Sequence, residues 1–303
     1  MTISIWVEKY RPSTLSNVIF QDIQQRKLFE QFTVNQDIPN LLLAGVQGTG
    51  KTTISRALIH DLNIDPADVL TINCSDEQID ALRNKVSSFA MTLPNGKFKV
   101  VRLEEADFSS LSSQALLRTL IEDSSSNCRF IATCNYDNKI IPALKSRFQQ
   151  MNFRAPDKEK IALRCAEILE AENVQFEVEH LLTYVDVGYP DIRKTIQLLQ
   201  GNVLDGKLLN PKSISVESGD WKFRLLDLVS TGNFKAARKL VCESASREEH
   251  EDVYRFLYSN LKKLKVKDEE AAILVIAEYL KNHTLVADTE VNLAAAFIAL
   301  SRC

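Results

Sequence analysis

The sequence has no long apolar segment and no secretory leader pattern. No uncharged apolar run approaches the ~20 residues that a membrane-spanning helix needs, and the start of the chain lacks a basic stretch followed by an apolar core. We therefore expect a cytoplasmic location without membrane contact.

Paired cysteines and a strong net charge are also lacking. The six cysteines are far apart, with no Cys-x-x-Cys pair and no cysteine–histidine cluster at zinc-ligand spacing. We expect reduced thiols that are mostly buried. A formal net charge of −3 does not suit a general polyanion binder, so any contact with nucleic acid requires a local basic surface.

No fixed-period repeat or low-complexity tract occurs, but the hydrophobic pattern changes twice along the chain. Between residues 39 and 153, helical patterns alternate with short apolar runs, which we predict as strands at 41–44, 69–72, 98–103 and 129–133. This alternation predicts an α/β domain with a parallel sheet covered by helices on both faces.

The remainder of the chain has apolar residues at helical spacing. Residues 157–210 predict a small all-helical domain, and a polar linker at 210–220 precedes further helical patterns that run to the end. We therefore predict three domains, at 1–156, 157–212 and 213–303.

The strongest motif is Gly-Val-Gln-Gly-Thr-Gly-Lys-Thr at 45–52, which matches G-x-x-x-x-G-K-[ST] between a predicted strand and a predicted helix. Glycines let backbone N–H groups surround phosphates, and the helix N-terminus adds positive potential. Lys51 would reach the outer phosphates, and Thr52 would ligate magnesium. Because the flanking elements agree, a phosphate-binding loop for ATP and Mg²⁺ is favoured over a chance glycine-rich turn.

Two adjacent carboxylates follow the predicted strand at 98–103. A phosphate-binding loop needs acidic groups at the end of a neighbouring strand, to hold the metal and to activate water. Glu105 is the candidate that polarises the attacking water, and Glu104 occupies the metal-side position where Asp is usual. The alternative is a solvated acidic strand end. Since Glu has one methylene more than Asp, the reach of Glu104 to a bound magnesium ion or its water differs from that of the usual Asp.

Several further motifs occur together in a characteristic order: Trp-Val-Glu-Lys-Tyr-Arg-Pro at 6–12, Glu-Glu-Ala-Asp at 104–107, Cys-Asn-Tyr at 134–136, Ser-Arg-Phe at 146–148 and Pro-Asp-Ile-Arg-Lys at 190–194. In this order they resemble the AAA+ clamp-loader family. The chain is similar to replication factor C small subunits. A nearer likeness, to the clamp-loader large subunit of T-even-type phages, rests on the compact length and on the runs at 189–195 and 287–290.

The resemblance implies a P-loop AAA+ parallel sheet flanked by helices, then a helical lid domain and an all-helical collar for oligomerisation. It also implies two groups of nucleotide-binding residues. The adenine side would be lined by Val7, Glu8, Lys9, Tyr10 and Ile19. The phosphates would be held by Gly48, Thr49, Gly50, Lys51, Thr52 and Thr53.

Three polar residues acquire roles from the resemblance alone. Asn135 matches a polar sensor that orients water or detects the γ-phosphate, and Arg193 matches a sensor arginine that couples the second domain to ATP. Arg147 matches an arginine that reaches the neighbouring subunit's site, although Phe148 replaces the family's cysteine. Taken singly, such an Asn is usually a turn residue, and such an Arg is solvated or paired within its own domain.

Contact with the DNA backbone is implied for two helices of the first domain, one from about Glu77 and one from about Leu111. The expected contacts are Arg83, Lys85 and Arg118, with Gln114 and the hydroxyls of Ser75, Ser112 and Ser113 as further donors to phosphate. The alternative is that these are ordinary solvated helix faces.

The expected function is that of an ATPase subunit of a DNA sliding-clamp loader in DNA replication. Its expected partners are several copies of itself, a distinct companion subunit, the sliding clamp and primer–template DNA, in the host cytoplasm if the source is a phage. Two alternatives stay open: a helicase-type AAA+ motor, and a nucleotide-binding scaffold with weak hydrolysis. The third domain has no winged-helix signature, which disfavours the motor.

Overall fold

The computed structural model describes residues 5–76, 78–211, 221–246 and 249–303. The chain divides into two compact units, Met1–Lys160 with Pro190–Ile192, and Ile161–Tyr189 with Arg193–Cys303. Most residues predicted as lid and collar fall together in the second unit, but residues 157–160 and Pro190–Ile192 belong to the first, and the three predicted boundaries stay predictions. The linker predicted at 210–220 lies outside the described residues except for its first two positions.

The first unit contains a parallel sheet with the strand order β2-β3-β4-β1-β5. Its strands are β1 Leu41–Gly45, β2 Val69–Asn73, β3 Lys99–Glu104, β4 Cys128–Cys134 and β5 Gln149–Phe153. The first four confirm the predicted strands and the predicted fold class. β5 was not predicted, because only Met151 and Phe153 of its five residues are buried, as suits a strand at the sheet edge.

Helices cover both faces of this sheet, and they are α1 Trp6–Lys9, α2 Ile23–Asn35, α3 Lys51–Asp61, α4 Ile79–Met91, α5 Leu111–Asp123 and α6 Pro142–Lys145. Side chains alternate along β1, so Leu41 and Leu43 join the core on the side of α2 and α3. Leu42 and Ala44 join the core on the side of α4 and α5. Burial on both faces explains why the central strands are continuous apolar runs.

The strand order brings the ends of β1, β3 and β4 to one edge. β4 lies between β1 and β3, and Ala44 is in register with Cys134 while Leu103 is in register with Ala132. The loop at 46–50, the acidic pair at 104–105 and Asn135 all follow these strand ends. The predicted functional motifs therefore lie at the same edge of the sheet.

The second unit is mainly helical, and the first residues of α7 and α9 belong to the first unit. Its helices are α7 Lys158–Ala171, α8 Val178–Gly188, α9 Ile192–Gly201, α10 Lys222–Ser230, α11 Phe234–Ser244, α12 His250–Ser259, α13 Glu269–His283 and α14 Thr289–Leu300. Side-chain caps begin α11, α13 and α14: Asn233 accepts from the N–H of Ala236 (3.2 Å), and Asp268 and Asp288 cap α13 and α14 in the same way.

The expectation that residues 157–210 are all-helical is wrong in one element. Strands β6 Val203–Leu204 and β7 Lys207–Leu208 form an antiparallel hairpin. Its two turn residues, Asp205 and Gly206, both have positive φ (49° and 72°), which a type I′ turn requires. The Asp-Gly pair was the sequence signal for this hairpin.

The cysteines behave as expected. Within the described residues no cysteine is in a disulfide, and Cys74, Cys128, Cys134 and Cys165 are buried. Burial raises the pKa of the Cys134 and Cys165 thiols to about 12. These thiols are protonated core side chains at neutral pH.

Candidate nucleotide-binding site

The loop between β1 and α3 has a backbone that requires glycine. Gly48 and Gly50 have φ of 78° and 87°, in the left-handed region that other residues rarely adopt. A Cβ at Gly50 would meet open space, so the backbone conformation alone requires glycine there. At Gly48 a Cβ would also lie 2.1 Å from Oδ1 of Asp191. Thr49 fixes the loop by donating from Oγ1 to the carbonyl oxygen of Val46 (2.8 Å).

Lys51 is the first residue of α3, and its side chain is buried. Its Nζ donates to the carbonyl oxygens of Gly45 (2.7 Å) and Val46 (2.9 Å), and to Oδ1 of Asn135 (3.0 Å). The first two bonds hold the ammonium group against the loop, and the third joins it to the end of β4. The structure thus brings together two residues that the sequence places 84 positions apart.

Glu104 ends β3 and forms an ion pair with Arg102 two residues earlier on the same strand. Arg102 is buried, and within the described residues its Nε has no hydrogen-bond partner. Burial lowers the pKa of Arg102 from its ordinary value, and the charge of Glu104 opposes that effect. Glu104, the candidate ligand of the metal, is therefore already the counter-ion of Arg102.

Glu105 has an unusual backbone. It adopts a left-handed conformation (φ 56°, ψ 44°), which is uncommon for a residue with a side chain, and its N–H donates to Oγ1 of Thr133 (3.4 Å). The chain turns sharply here, so that Glu105 is exposed while Glu104 is half-buried. Strained conformations of this kind are concentrated at functional sites. The two carboxylates therefore have different surroundings, as their different expected roles require.

A buried carboxylate supports the candidate sensor. Oδ2 of Asp107 accepts hydrogen bonds from the backbone N–H groups of Asn135 (3.2 Å) and Tyr136 (3.0 Å). These bonds hold the backbone that carries Asn135 at the end of β4. Asp107 belongs to the Glu-Glu-Ala-Asp motif, and its position three residues after Glu104 was the only sequence signal for this supporting role.

The candidate adenine-side residues lie in the same unit as the loop. Residues Val7, Glu8 and Lys9 belong to the single turn α1, and Tyr10 and Ile19 follow it. Glu8 pairs with Arg11 (2.6 Å), and Nζ of Lys9 lies 5.1 Å from the centre of the Tyr10 ring. Their contact with adenine stays a prediction. The same holds for Arg193, an exposed residue on α9 of the second unit.

Arg147 follows α6 and pairs with Glu122 near the end of α5, with Nε 2.7 Å from Oε1. Both side chains remain well exposed, at 44% and 43%. The guanidinium thus has a partner within its own unit, as expected of an arginine that only stabilises its own domain. Its exposure also leaves it accessible to a neighbouring molecule.

The candidate DNA contacts are on two helices that pack against each other. Arg83 and Lys85 lie on α4 and Arg118 lies on α5, and all three are exposed. α4 begins at Ile79, and the expected start at Glu77 lies outside the described residues.

Three of the further donors expected on these helices are placed differently from the prediction. Gln114 is buried, where Nε2 donates to the carbonyl oxygens of Ser109 (3.2 Å) and Lys139 (3.1 Å). Ser113 is also buried, and Ser75 lies in a turn before α4 rather than at its N-terminus. Gln114 therefore fixes α5 to the neighbouring loop and cannot reach phosphate. Ser112 is exposed in the first turn of α5.

The residues present suit a magnesium–nucleotide complex. Magnesium prefers oxygen ligands and is usually held by one or two side chains together with substrate phosphates. Thr52 and Glu104 supply a hydroxyl and a carboxylate, and the glycine-rich turn leaves open space beside Gly50. Over the described residues no group of three or more acidic, histidine or cysteine side chains forms a separate metal site.

Comparison with known proteins agrees with this arrangement. Residues 41–155 match the AAA family, "ATPase family associated with various cellular activities". The replication factor C small subunit of Sulfurisphaera tokodaii is 38% identical to this chain, over 79% of this chain and 75% of that protein. The small subunit of Archaeoglobus fulgidus is 37% identical, over 78% of this chain and 77% of that protein. The small subunit of Aeropyrum pernix is 35% identical over 91% of this chain and 88% of its own length.

The chain belongs to the replication factor C small-subunit family. As a member of this family it is an AAA+ nucleotide-binding ATPase of the clamp-loader type, acting in DNA replication. The nearer likeness to a phage subunit has no support from these relatives.

A solved structure with a similar fold is the RuvB Holliday junction branch migration motor of Thermotoga maritima (TM-score 0.58, 17% identity, 73% of this chain and 79% of that one). At this identity the likeness shows the fold alone, and it does not indicate helicase activity for this chain. No helix in the described ranges is long and apolar enough to cross a membrane.

Proposed function

We propose that this chain is an ATPase subunit of a DNA sliding-clamp loader, in which ATP binding opens the ring-shaped clamp and DNA entry triggers hydrolysis and release. The observation that carries the proposal is the hydrogen bond between Lys51 and Asn135, which joins the phosphate-binding loop to the sensor beside the acidic pair. The contact places the phosphate-binding lysine within hydrogen-bond distance of the residue proposed to orient water, which favours hydrolysis over storage of a nucleotide.

Each residue of the site has a separate role in ATP hydrolysis. The loop N–H groups and Lys51 hold the phosphates, and Lys51 exchanges its present carbonyl partners for phosphate oxygens. Glu105 accepts a hydrogen bond from the attacking water and polarises it. Asn135, held by Asp107, orients that water. Thr52 and Glu104 would hold a magnesium ion, which would offset the negative charge of the phosphates. No covalent step on DNA is part of this reaction.

The partners follow from the family. The replication factor C relatives are named as small subunits, so we infer an assembly with further copies of this chain, a companion subunit, the clamp and primer–template DNA. In that assembly Arg147 serves the ATP of a neighbouring subunit, Arg193 couples the second unit to the bound nucleotide, and Arg83, Lys85 and Arg118 follow the DNA backbone.

A steady-state ATPase measurement tests this proposal. We expect slow hydrolysis by the isolated chain and a strong increase when companion subunits, clamp and primer–template DNA are all present. Long unprimed duplex alone should stimulate far less. A rate that duplex raises fully without the clamp would favour the motor alternative. Tight ATP binding with no stimulation under any condition would favour the scaffold.

A further inference from the structure

Arg102 stands out as a buried cation close to the nucleotide-binding edge of the sheet. It lies two residues before Glu104 on β3, so both side chains are on the same face of the sheet. This is the face of Val100, which packs with α2 and α3. Only 8% of the Arg102 side chain is exposed, against 23% for Glu104. Arg102 is thus shielded from water, while Glu104 remains partly accessible.

Glu104 is the acidic partner of this guanidinium. The two side chains form an ion pair, and the Nε of Arg102 has no hydrogen-bond partner in the described part of the chain. Arg11 and Arg56 are close enough to act electrostatically on Arg102 and add positive charge around it. A buried arginine needs a compensating anion, because an unpaired charge in a low-dielectric interior is costly. Glu104 therefore cannot act as an independent carboxylate.

We propose that Arg102 is a positioning residue that holds Glu104 as its counter-ion and thereby sets the magnesium affinity of the nucleotide site. The inference rests on the proposed function, in which Glu104 is the metal-side carboxylate. A metal ion and the guanidinium compete for the same carboxylate, and the two cations repel each other. Because like charges repel strongly at short distance in a partly buried site, we expect removal of the Arg102 charge to strengthen magnesium binding.

The test measures magnesium dependence without turnover. A fluorescent, slowly hydrolysed ATP analogue is bound to the purified chain over a magnesium titration, and the thermal shift on adding magnesium is recorded in parallel. Arg102→Met keeps an unbranched side chain and removes the charge. We expect the half-saturating magnesium concentration to fall by roughly three- to tenfold. An unchanged or higher half-saturating concentration would overturn the proposal.

Three further variants make the result specific. Arg102→Lys retains the charge and should stay close to the parent. Arg26→Met removes an arginine from an exposed pair with Glu30 on α2 (2.9 Å) and should have no effect. In a Glu104→Gln background, Arg102→Met should no longer change the half-saturating concentration. A full effect in that background would contradict a role exerted through Glu104.

Two outcomes separate this inference from the proposed function. If the parent chain shows no magnesium-dependent nucleotide binding, the proposed site itself is wrong. If the parent binds normally and the arginine variants match it, only the role of Arg102 is wrong. Should Arg102→Met fail to fold, Arg102→Gln retains a polar group in the same space, and the same fall is expected.

Discussion

Replacing Arg147 by alanine separates a role in a neighbouring active site from a role in the stability of its own unit. Among the described residues, the Arg147 side chain pairs with Glu122 in an ion pair whose members are 44% and 43% exposed. Exposed pairs of this kind contribute ~0.2–1 kcal/mol to stability. In a domain of this size, such a loss lowers the melting temperature by about 2–4 °C at most. A guanidinium that reaches a neighbour's γ-phosphate is instead worth roughly 10³–10⁵ in turnover.

The assay compares melting temperature and steady-state ATPase of the assembled complex. We expect Arg147→Ala to leave the melting temperature nearly unchanged and to reduce turnover at least about a hundredfold. Glu122→Ala is the matched control, because it breaks the same ion pair and keeps the guanidinium. It should leave turnover near the parental rate.

A mixing experiment tests action between subunits. Arg147→Ala subunits keep their own phosphate-binding loop, and Lys51→Ala subunits keep their arginine. Assemblies that contain both should hydrolyse ATP faster than either variant alone. Equal losses for Arg147→Ala and Glu122→Ala, or no recovery despite confirmed co-assembly, would show that Arg147 does not serve a neighbouring nucleotide and acts only in the surface ion pair.

Three further changes have defined outcomes. Lys51→Ala should lower ATP affinity or turnover by roughly 10²-fold or more while the fold persists, and a parental rate in a binding and turnover assay would contradict the loop assignment. Glu105→Gln keeps the shape and the left-handed backbone but loses the charge, so pre-steady-state kinetics should show normal ATP binding and hydrolysis slowed ~10²–10⁴-fold. Replacing Arg83, Lys85 and Arg118 by alanine together should reduce the slope of log affinity for primed DNA against log salt by about one per lost contact, with ATP affinity unchanged. An unaltered slope would place the DNA path elsewhere.

The central part of the fold was predictable because burial on both faces leaves an unmistakable pattern. The strands β1, β3 and β4 are mostly buried, β2 keeps the apolar residues Val69, Leu70 and Ile72, and each of the four was predicted to within two residues at either end. β5 was not predicted because three of its five residues are exposed, so its apolar pattern is too short to indicate a strand. The hairpin at 203–208 was not predicted because its strands have only two residues each, although the Asp-Gly pair at its turn is a hairpin signal in the sequence.

The residues of the candidate site were predicted from the sequence, whereas most contacts between them could not be. The loop, the acidic pair and Asn135 could be placed at one sheet edge because parallel strands present their ends together. That Asn135 contacts Lys51 depends on β1 and β4 being adjacent, which the strand sequence does not specify. The Arg102–Glu104 pair follows from alternation along one strand and could have been inferred. The burial of Gln114 could not, because it depends on the loop at 139–141.

Clamp loading itself is the most direct test of the account. A labelled ring-shaped clamp is incubated with primer–template DNA blocked at both ends, companion subunits and this chain, and the clamp retained on DNA after a high-salt wash is counted. We predict retention that requires ATP and the parental chain, and that is lost with Lys51→Ala subunits. Equal retention without ATP, or with Lys51→Ala subunits in place of the parent, would contradict the proposal that this chain couples ATP to clamp loading.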